Sequence, residues 1–389
     1  MEKNLNRNSD KGLIGDTCKS WSDLPLDLLN LVFERLSFAD FQRAKSVCSS
    51  WLSFSRQCVP KNHVPWVLLF PQNNQTNSCM LFNPEEKDKL YKTQLDLGLE
   101  FANSSCMKTY GSWLLMQNLQ QNLYIVNLFT HEMINLPPVE SQLGMTKVER
   151  LLDGEFRITS NNRLYNLMSV RCPVFWIDEK TKDHVVSWVL SNFCVVYSKT
   201  GDNSWNQIPL TLSCLDMVYK DHKLYLLSYS EKLNIFDFSG EIPQQIVVKD
   251  TVPPRVFYRP SNHLGFKWMS IVATSIVVTV KGDVLKVEKK WTPRLRSWSF
   301  CIFKVYSSGF KEHEHVYSLG DEAMLLDLGI TVLANDNDGI SRNSIYFSDC
   351  NNQNNVYLFN LKTCKVEKLH KFDCSSVQLS SKRWFLITK

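Results

Sequence analysis

A short strand motif recurs along most of this chain: two apolar residues, then Asn or Asp, then a further apolar residue. Its four clearest copies are Leu81-Phe82-Asn83-Pro84, Ile125-Val126-Asn127-Leu128, Ile235-Phe236-Asp237-Phe238 and Leu358-Phe359-Asn360-Leu361. The residues around these copies indicate a unit of strand, turn, strand ending in Asn or Asp, turn, strand. We expect the Asn or Asp side chain to start the turn by bonding to the backbone that follows it.

The spacing of the copies favours a ring of small sheets. With two looser copies, at Val195–Ser198 and Ile302–Val305, the motifs lie roughly 40 to 70 residues apart, which is the interval of propeller blades. We therefore predict an all-β propeller of about six or seven blades, with a pair of β-sandwiches as the alternative. A single meandering sheet of this length would leave its edges unprotected. We expect the last strand-like run, 383–387, to share a blade with the first, 66–70, and to close the ring.

A compact helical unit precedes the strands. Ser22 and Asp23 are suited to cap a helix, and Pro25 suits its first turn. Apolar residues then recur at helical spacing, at Leu28, Leu29, Val32, Phe33 and Leu36. Ser37 and Asp40 form a capping-box pattern, which predicts a second helix from about Phe38 with apolar positions at Phe41, Ala44, Val47, Cys48 and Trp51. About 35 residues are too few to bury a self-sufficient core, so the unit needs a partner or packs on the chain's own second domain.

The helical unit resembles an F-box, the module by which a protein binds a Skp-type adaptor of a cullin-RING ubiquitin ligase. The resemblance is carried by Leu24-Pro25, the paired leucines 28 and 29, Asp40, Val47-Cys48 and Trp51, while Asp27 stands where the family more often has Glu. It implies that Leu29, Phe33 and Leu36 serve the module's own packing. It also implies that the adaptor is contacted by Leu24, Pro25, Leu28, Val32, Val47 and Trp51.

The C-terminal part resembles plant F-box proteins that carry a kelch-like propeller domain of otherwise unknown function. The segments that carry this resemblance are 318–324, 344–349 and 356–359. Family members often end in Trp followed closely by Pro, whereas Phe, Leu and Ile follow Trp384 here. The resemblance implies an α+β multidomain protein that selects a target protein for ubiquitination. The domains expected are a disordered leader at 1–20, the F-box at 21–58, a linker at 59–65 and the propeller at 66–389.

Composition excludes several other classes. A net charge of +5, from 44 basic and 39 acidic residues, is too balanced for a nucleic-acid-binding chain. The densest basic cluster, Lys286–Lys290, is expected to be a solvated loop.

The longest apolar stretch, Met269–Val280, is far too short for a membrane span, and the polar start lacks a signal peptide. Since none of the 12 cysteines has Cys-x-x-Cys spacing, we expect free thiols, no zinc, and a location in the nucleus, the cytoplasm or both.

No motif for catalysis is found in the sequence. Glycine-rich phosphate-binding loops and a Gly-x-Ser-x-Gly nucleophile elbow are missing, as is the cysteine spacing of a RING. We predict a non-catalytic receptor with no catalytic residue, cofactor or metal. The best target-binding candidates are Trp291, Arg294 and Trp298, where basic and aromatic residues mix. The alternatives are a propeller-based enzyme or small-molecule sensor, and a scaffold that binds the adaptor without ligase activity.

Overall fold

The computed structural model describes residues 20–36, 38–58, 65–71, 78–84, 89–94, 101, 103–152, 154–160, 162–166, 168–209, 214–230, 232–246, 270–305, 314–334, 340–348, 355–371 and 379–386. The chain divides into two compact units, 1–62 and 63–389. The leader predicted for 1–20 and the linker predicted for 59–65 lie almost wholly outside the described residues, and so does Ser37 of the predicted capping box.

The first unit consists of short helices around a small apolar core. A 3₁₀ turn, Trp21–Asp23, is followed by α1 (Leu26–Phe33), α2 (Phe38–Ala44) and α3 (Ser49–Ser55). Ser20 caps the 3₁₀ turn, because its Oγ accepts the Ser22 amide at 3.3 Å while the Asp23 carboxylate accepts the Ser20 amide at 3.1 Å. The buried core residues are Leu29, Phe33, Phe41, Ala44 and Trp51.

The prediction of one continuous second helix from Phe38 to Trp51 was wrong. Helix α2 ends at Ala44, and the amides of Ser46 and Val47 bond three residues back, at 2.9 and 3.1 Å, which closes a turn. Cys48 is extended, and α3 begins at the residue after it. Serines favour caps and turns because their hydroxyls compete for backbone hydrogen bonds, so a serine-rich stretch interrupts the helix.

The described residues of the second unit form six successive blade sheets, mostly antiparallel, and a small insertion; the last two blade sheets are hydrogen-bonded to each other as one nine-stranded sheet. The first three strands are β1 (Trp66–Pro71), β2 (Ser78–Phe82) and β3 (Leu90–Gln94). The second sheet is β4 (Ser105–Tyr110), β5 (Trp113–Gln117), β6 (Leu123–Asn127) and β7 (Met133–Asn135). A three-stranded insertion follows, made of β8 (Lys147–Arg150), β9 (Phe156–Ser160) and β10 (Arg163–Tyr165).

The remaining strands complete four further sheets. The third is β11 (Val170–Ile177), β12 (His184–Leu190), β13 (Cys194–Lys199) and β14 (Asn206–Gln207). The fourth is β15 (Cys214–Lys220), β16 (Lys223–Ser228), β17 (Leu233–Asp237) and β18 (Gln244–Ile246). The fifth is β19 (Ser270–Val278), β20 (Val284–Thr292), β21 (Ser297–Val305) and β22 (Glu314–His315). The sixth is β23 (Glu322–Leu325), β24 (Ile330–Leu333), β25 (Ser344–Ser348), β26 (Asn355–Asn360) and β27 (Lys365–Lys371), and β28 (Leu379–Phe385) returns to the first sheet.

The sheets are arranged as a ring, as the predicted propeller requires. The inner strands β28, β4, β11, β15 and β19 contact one another in that order, and β19 meets β24 through one parallel residue pair. The ring closes because β28 pairs antiparallel with β1, with Trp384 opposite Val67, and the Thr109 hydroxyl of β4 donates to the Trp384 backbone oxygen at 2.5 Å. The predicted propeller and its shared first and last blade are thus confirmed, and six blades fall within the described residues.

The recurring Asn and Asp residues start turns as predicted. Asn127 Oδ1 accepts the amides of Phe129 and Thr130, both at 2.9 Å, and Asn360 repeats this geometry with the next two turn amides. Asp237 accepts the Ser239 amide at 2.8 Å. In addition, no helix among the described residues is long and apolar enough to cross a membrane.

Candidate functional site

Helix α1 has two apolar faces. Leu29 and Phe33 point into the core of the helical unit, as predicted. Leu28 and Leu31 lie on a different side of the helix and are 50% and 46% exposed. An amphipathic helix of a self-contained domain has one apolar stripe, so a second, exposed stripe is surplus to folding.

Exposed apolar residues also occur in the helical unit outside α1. We define the docking face as the exposed apolar residues of the helical unit other than Leu26, which lies on the Asn30 side of α1, namely Trp21, Pro25, Leu28, Leu31, Val47 and Leu52. Pro25, Leu28 and Val47 are predicted adaptor contacts, whereas Trp21, Leu31 and Leu52 were not named from the sequence. An adaptor contact by any of these residues stays a prediction.

The other predicted contacts lie deeper. Leu24 and Val32 are half-buried and pack against the core, so they border the docking face. Trp51 is 7% exposed: its ring centroid lies 5.5 Å from that of Phe33, and its indole N–H donates to the Trp21 backbone oxygen at 3.0 Å. The structure therefore gives Trp51 the role of holding Trp21 in place, and a direct adaptor contact by Trp51 stays a prediction.

The target-binding candidates on the propeller are not brought together on one surface. Trp298 is buried, and Trp291 is half-buried with its ring centroid 4.7 Å from that of Trp298. Only Arg294 is exposed, at the tip of the β20–β21 hairpin beside the exposed Leu295. A target contact by these residues stays a prediction, but two of the three side chains are committed to packing.

The expectation of a solvated loop at Lys286–Lys290 was wrong, because these residues form the middle of β20. Lys286 and Lys290 both pair with Glu288, at 3.1 and 3.2 Å. Lys289 points to the opposite side, where its Nζ lies 4.3 Å from the Trp298 ring centroid and donates to the Ser348 backbone oxygen at 2.7 Å. Charge pairing and cation–π contact let lysines occupy a largely buried strand, which their charge alone does not predict.

Comparisons with known proteins agree with this division of the chain. The F-box domain model matches residues 21–63, and the KIB1-4 beta-propeller model matches residues 81–360. Relatives from Arabidopsis thaliana that are named as F-box proteins cover nearly the whole chain. At4g22180 is 55% identical over 99% of this chain and 98% of its own length, and At4g22165 is 53% identical over the same shares. The more distant At1g69090 is 43% identical over 95% of this chain and 92% of its own length. The chain is an F-box protein of the KIB1-4 propeller family.

In this F-box protein, the segment matched by the F-box model contains the whole docking face. The propeller match runs from the end of β2 to the end of β26, so it covers β3 to β26 and leaves out β1, β27 and β28. The matched propeller is of the KIB1-4 type, and the kelch-like character expected from the sequence stays a prediction. The part of the chain that the structure describes holds no group of three or more His, Cys, Asp or Glu side chains arranged to bind a metal ion.

Proposed function

We propose that this F-box protein is the substrate-recognition subunit of an SCF-type E3 ubiquitin ligase. Its F-box binds a Skp-type adaptor, and through it the cullin and RING subunits, while the propeller binds a target protein. Family membership supports the general role, because F-box proteins act as substrate receptors. The protein acts without catalytic residues of its own, in the nucleus, the cytoplasm or both.

The observation that carries the proposal is the second apolar face of α1. Leu28 and Leu31 are half exposed although Leu29 and Phe33 already fill the core of the module. Burying a leucine side chain fully stabilises a complex by about 1.5 to 3 kcal/mol, so a partner that covers this face gains most of its affinity there. A helical adaptor with an apolar groove fits such a face.

The mechanism that follows is proximity. The ligase must bring a lysine of the target close to the ubiquitin carrier, and a receptor that holds both ends of the assembly raises the effective concentration of that lysine. The receptor's part is to bind at two places at once, so a loss of either contact abolishes transfer even though no chemical step takes place on this chain.

Binding of the purified full chain to a plant Skp-type adaptor tests the proposal. Leu28→Asp puts a charge into the proposed contact and is expected to weaken binding at least tenfold, which corresponds to about 1.4 kcal/mol. Asn30→Ala is the matched control, because Asn30 is exposed on the polar side of the same helix, where its amide bonds Glu34 at 3.1 Å. Binding by the wild type and by Asn30→Ala but not by Leu28→Asp supports the proposal.

Two results would count against it. A folded wild-type chain that does not bind the adaptor removes the ligase assignment. If Leu28→Asp binds the adaptor as tightly as the wild type does, the chain still binds the adaptor, but through a surface other than the docking face. A scaffold is distinguished from a receptor by its failure to recruit cullin and RING subunits together with the adaptor.

A further inference from the structure

The propeller has a cavity of about 280 Å³ at the centre of the ring. Its lining comes from the inner strands β4, β11, β15 and β28, together with the 3₁₀ helix Leu326–Leu328 and the end of β25. The residues that carry its chemistry are Met107, Lys108, Cys172, Asp216, Asp327 and Arg383. Because several blades contribute to it, the cavity exists only when the ring is closed.

Bulges in the inner strands shape this cavity. The pairing register shifts between Cys106 and Lys108 in β4, between Arg171 and Val174 in β11, and between Cys214 and Asp216 in β15. A bulge inserts one extra residue and changes the direction in which the neighbouring side chains point, and bulges are enriched beside binding sites. Three inner strands are therefore bent at the point where they line the cavity.

Two of these bulges share one local arrangement. The Cys106 thiol donates to the Lys108 backbone oxygen at 3.6 Å, and the Cys214 thiol donates to the Asp216 backbone oxygen at 3.4 Å. In both strands a buried cysteine thus bridges the bulge, and the residue after the bulge is charged and lines the cavity. The chain uses the same device twice to bring a charged side chain to the centre of the ring.

Two cations at the cavity, Arg383 and Lys108, have N–H groups that donate no hydrogen bond within the described part of the protein. Arg383 uses its Nη1 to bond the Lys382 backbone oxygen at 3.0 Å, while its Nε is buried without a hydrogen-bond acceptor. Lys108 donates from Nζ to the Asp327 backbone oxygen at 2.8 Å, which uses one of three ammonium protons. Within the described residues, neither cation has a carboxylate oxygen within 4 Å.

The carboxylates at the cavity are directed to the backbone instead. Asp216 accepts the Ile276 amide at 2.9 Å, and the Asp327 carboxylate accepts the amide and hydroxyl of Ser348. Lys382, the third lining cation, donates to the Asn355 backbone oxygen at 2.7 Å. The cations of the lining with hydrogen-bond donors still available are therefore Arg383 and Lys108.

Burial makes this arrangement costly for the protein alone. Desolvation lowers the pKa of Lys108, and it raises the pKa of the Asp216 carboxyl, so the charged form of each is disfavoured. Arg383 also repels Lys108 and adds to the lowering of that pKa. A negative charge placed between Arg383 and Lys108 would favour the charged form of Lys108 and offset the repulsion between the two cations.

We propose that the central cavity of the propeller is a binding site for a small oxyanion, a carboxylate or a phosphate, which accepts hydrogen bonds from Arg383 Nε and Lys108 Nζ. A volume of about 280 Å³ is large enough for inorganic phosphate or a short-chain carboxylate together with ordered water. The planar fork of arginine suits both oxyanions.

Calorimetric titration of the full chain tests this site. Sodium phosphate and sodium acetate are each titrated at ionic strength matched with sodium chloride, and thermal unfolding is followed in the same three salts. Saturable binding by one oxyanion, with a higher unfolding midpoint than in chloride, is the expected result. A response to phosphate alone assigns a phosphate ligand, and a response to acetate alone assigns a carboxylate.

Three variants locate the binding. Arg383→Gln and Lys108→Gln are each expected to weaken binding about tenfold or more, since each removes a charge-assisted hydrogen bond. Arg157→Gln is the control, because Arg157 is an exposed arginine on β9 of the insertion. Circular dichroism checks that each variant is folded, and if Arg383→Gln is not, Lys108→Gln and the wild-type titration still decide.

The proposal is overturned if no oxyanion binds saturably to the wild type. It is also overturned if the two cavity variants bind as tightly as Arg157→Gln, because the oxyanion then binds elsewhere. The test is independent of the ligase proposal, since no adaptor is present and a failure of either leaves the other standing.

Discussion

Trp51 and Trp21 are joined twice: the indole N–H of Trp51 donates to the Trp21 backbone oxygen at 3.0 Å, and the two rings meet edge to face at 6.2 Å. Trp51 is buried, while Trp21 is 68% exposed on the docking face. The contact therefore fixes the entry of the chain into the F-box and the position of an exposed aromatic side chain.

Substitution of Trp51 is expected to act on the stability of the module. Trp51→Ala removes a buried aromatic side chain and is expected to cost about 3 to 5 kcal/mol, which exceeds what so small a core can lose. Trp51→Phe keeps a ring and loses the hydrogen bond, at a cost of about 1 kcal/mol. Hydrogen exchange of α1 and α3 in the full chain measures the effect, and unchanged protection in Trp51→Ala would show that Trp51 does not hold the module together.

Asn127 is expected to contribute to the stability of the second blade. It is buried, accepts two turn amides and donates to the Ser112 hydroxyl at 3.0 Å. Asn127→Ala removes the hydrogen bonds to the two turn amides and to Ser112. The free energy of unfolding, measured with urea, is expected to fall by about 2 kcal/mol. The equivalent Asn360→Ala, at a more exposed turn, is the comparison and is expected to cost less.

A loss of equal size at the two positions would mean that the turn bonds alone, and not burial, set the contribution of the repeated Asn.

The repeat made the propeller predictable, because each Asn or Asp motif is a local pattern with a local cause, the bonding of the side chain to the next turn. The bulges at Cys106 and Cys214 were not predictable, because pairing registers depend on strands far apart in sequence. Trp51 was predicted as an adaptor contact, but it is buried in the core of the module. Its helical spacing marks an apolar position and does not show whether the side chain faces the core or a partner. Lys289 was misjudged because its partners, Trp298 and Ser348, are brought to it only by the folded sheets.

Glu288 is expected to make stability depend on pH. Burial raises its pKa, but the hydrogen bonds and charges of Lys286 and Lys290 outweigh burial, and the net pKa is lowered. A carboxyl with a lowered pKa in the folded state stabilises above the pKa of the unfolded chain, about 4.3, and loses this contribution as pH falls through the folded value.

Glu288→Gln is therefore expected to cost about 2 kcal/mol at neutral pH, since two lysines lose a charged partner, and progressively less below pH about 4. Chemical unfolding of both proteins across this range measures the difference. A penalty that is constant with pH would show that the ion pairs do not contribute.

The two cysteines of the F-box are expected to differ in reactivity. The Ser50 hydroxyl and backbone amides lower the pKa of the Cys48 thiol, whereas burial and the charge of Glu34 raise the pKa of Cys58. Cys48 should therefore have the larger thiolate fraction, and the thiolate is the form that is alkylated. Iodoacetamide near pH 7 should modify Cys48 first, and Ser50→Ala should slow it.

The propeller thiols provide the reference for this experiment, because burial raises the pKa of Cys79 to about 11 and that of Cys106 to about 12. Mass spectrometry of the native protein should find these two unmodified, and modification of Cys58 ahead of Cys48 would contradict the assignment.

The measurement that tests the central claim most directly is quantitative copurification from plant cells, with the tagged wild type compared with Leu28→Asp and Asn30→Ala. A substrate receptor should recover the adaptor together with cullin and RING subunits from the wild type and from Asn30→Ala, and Leu28→Asp should lose all three. Recovery of the adaptor without cullin and RING, or of none of them by a folded wild type, would contradict the account.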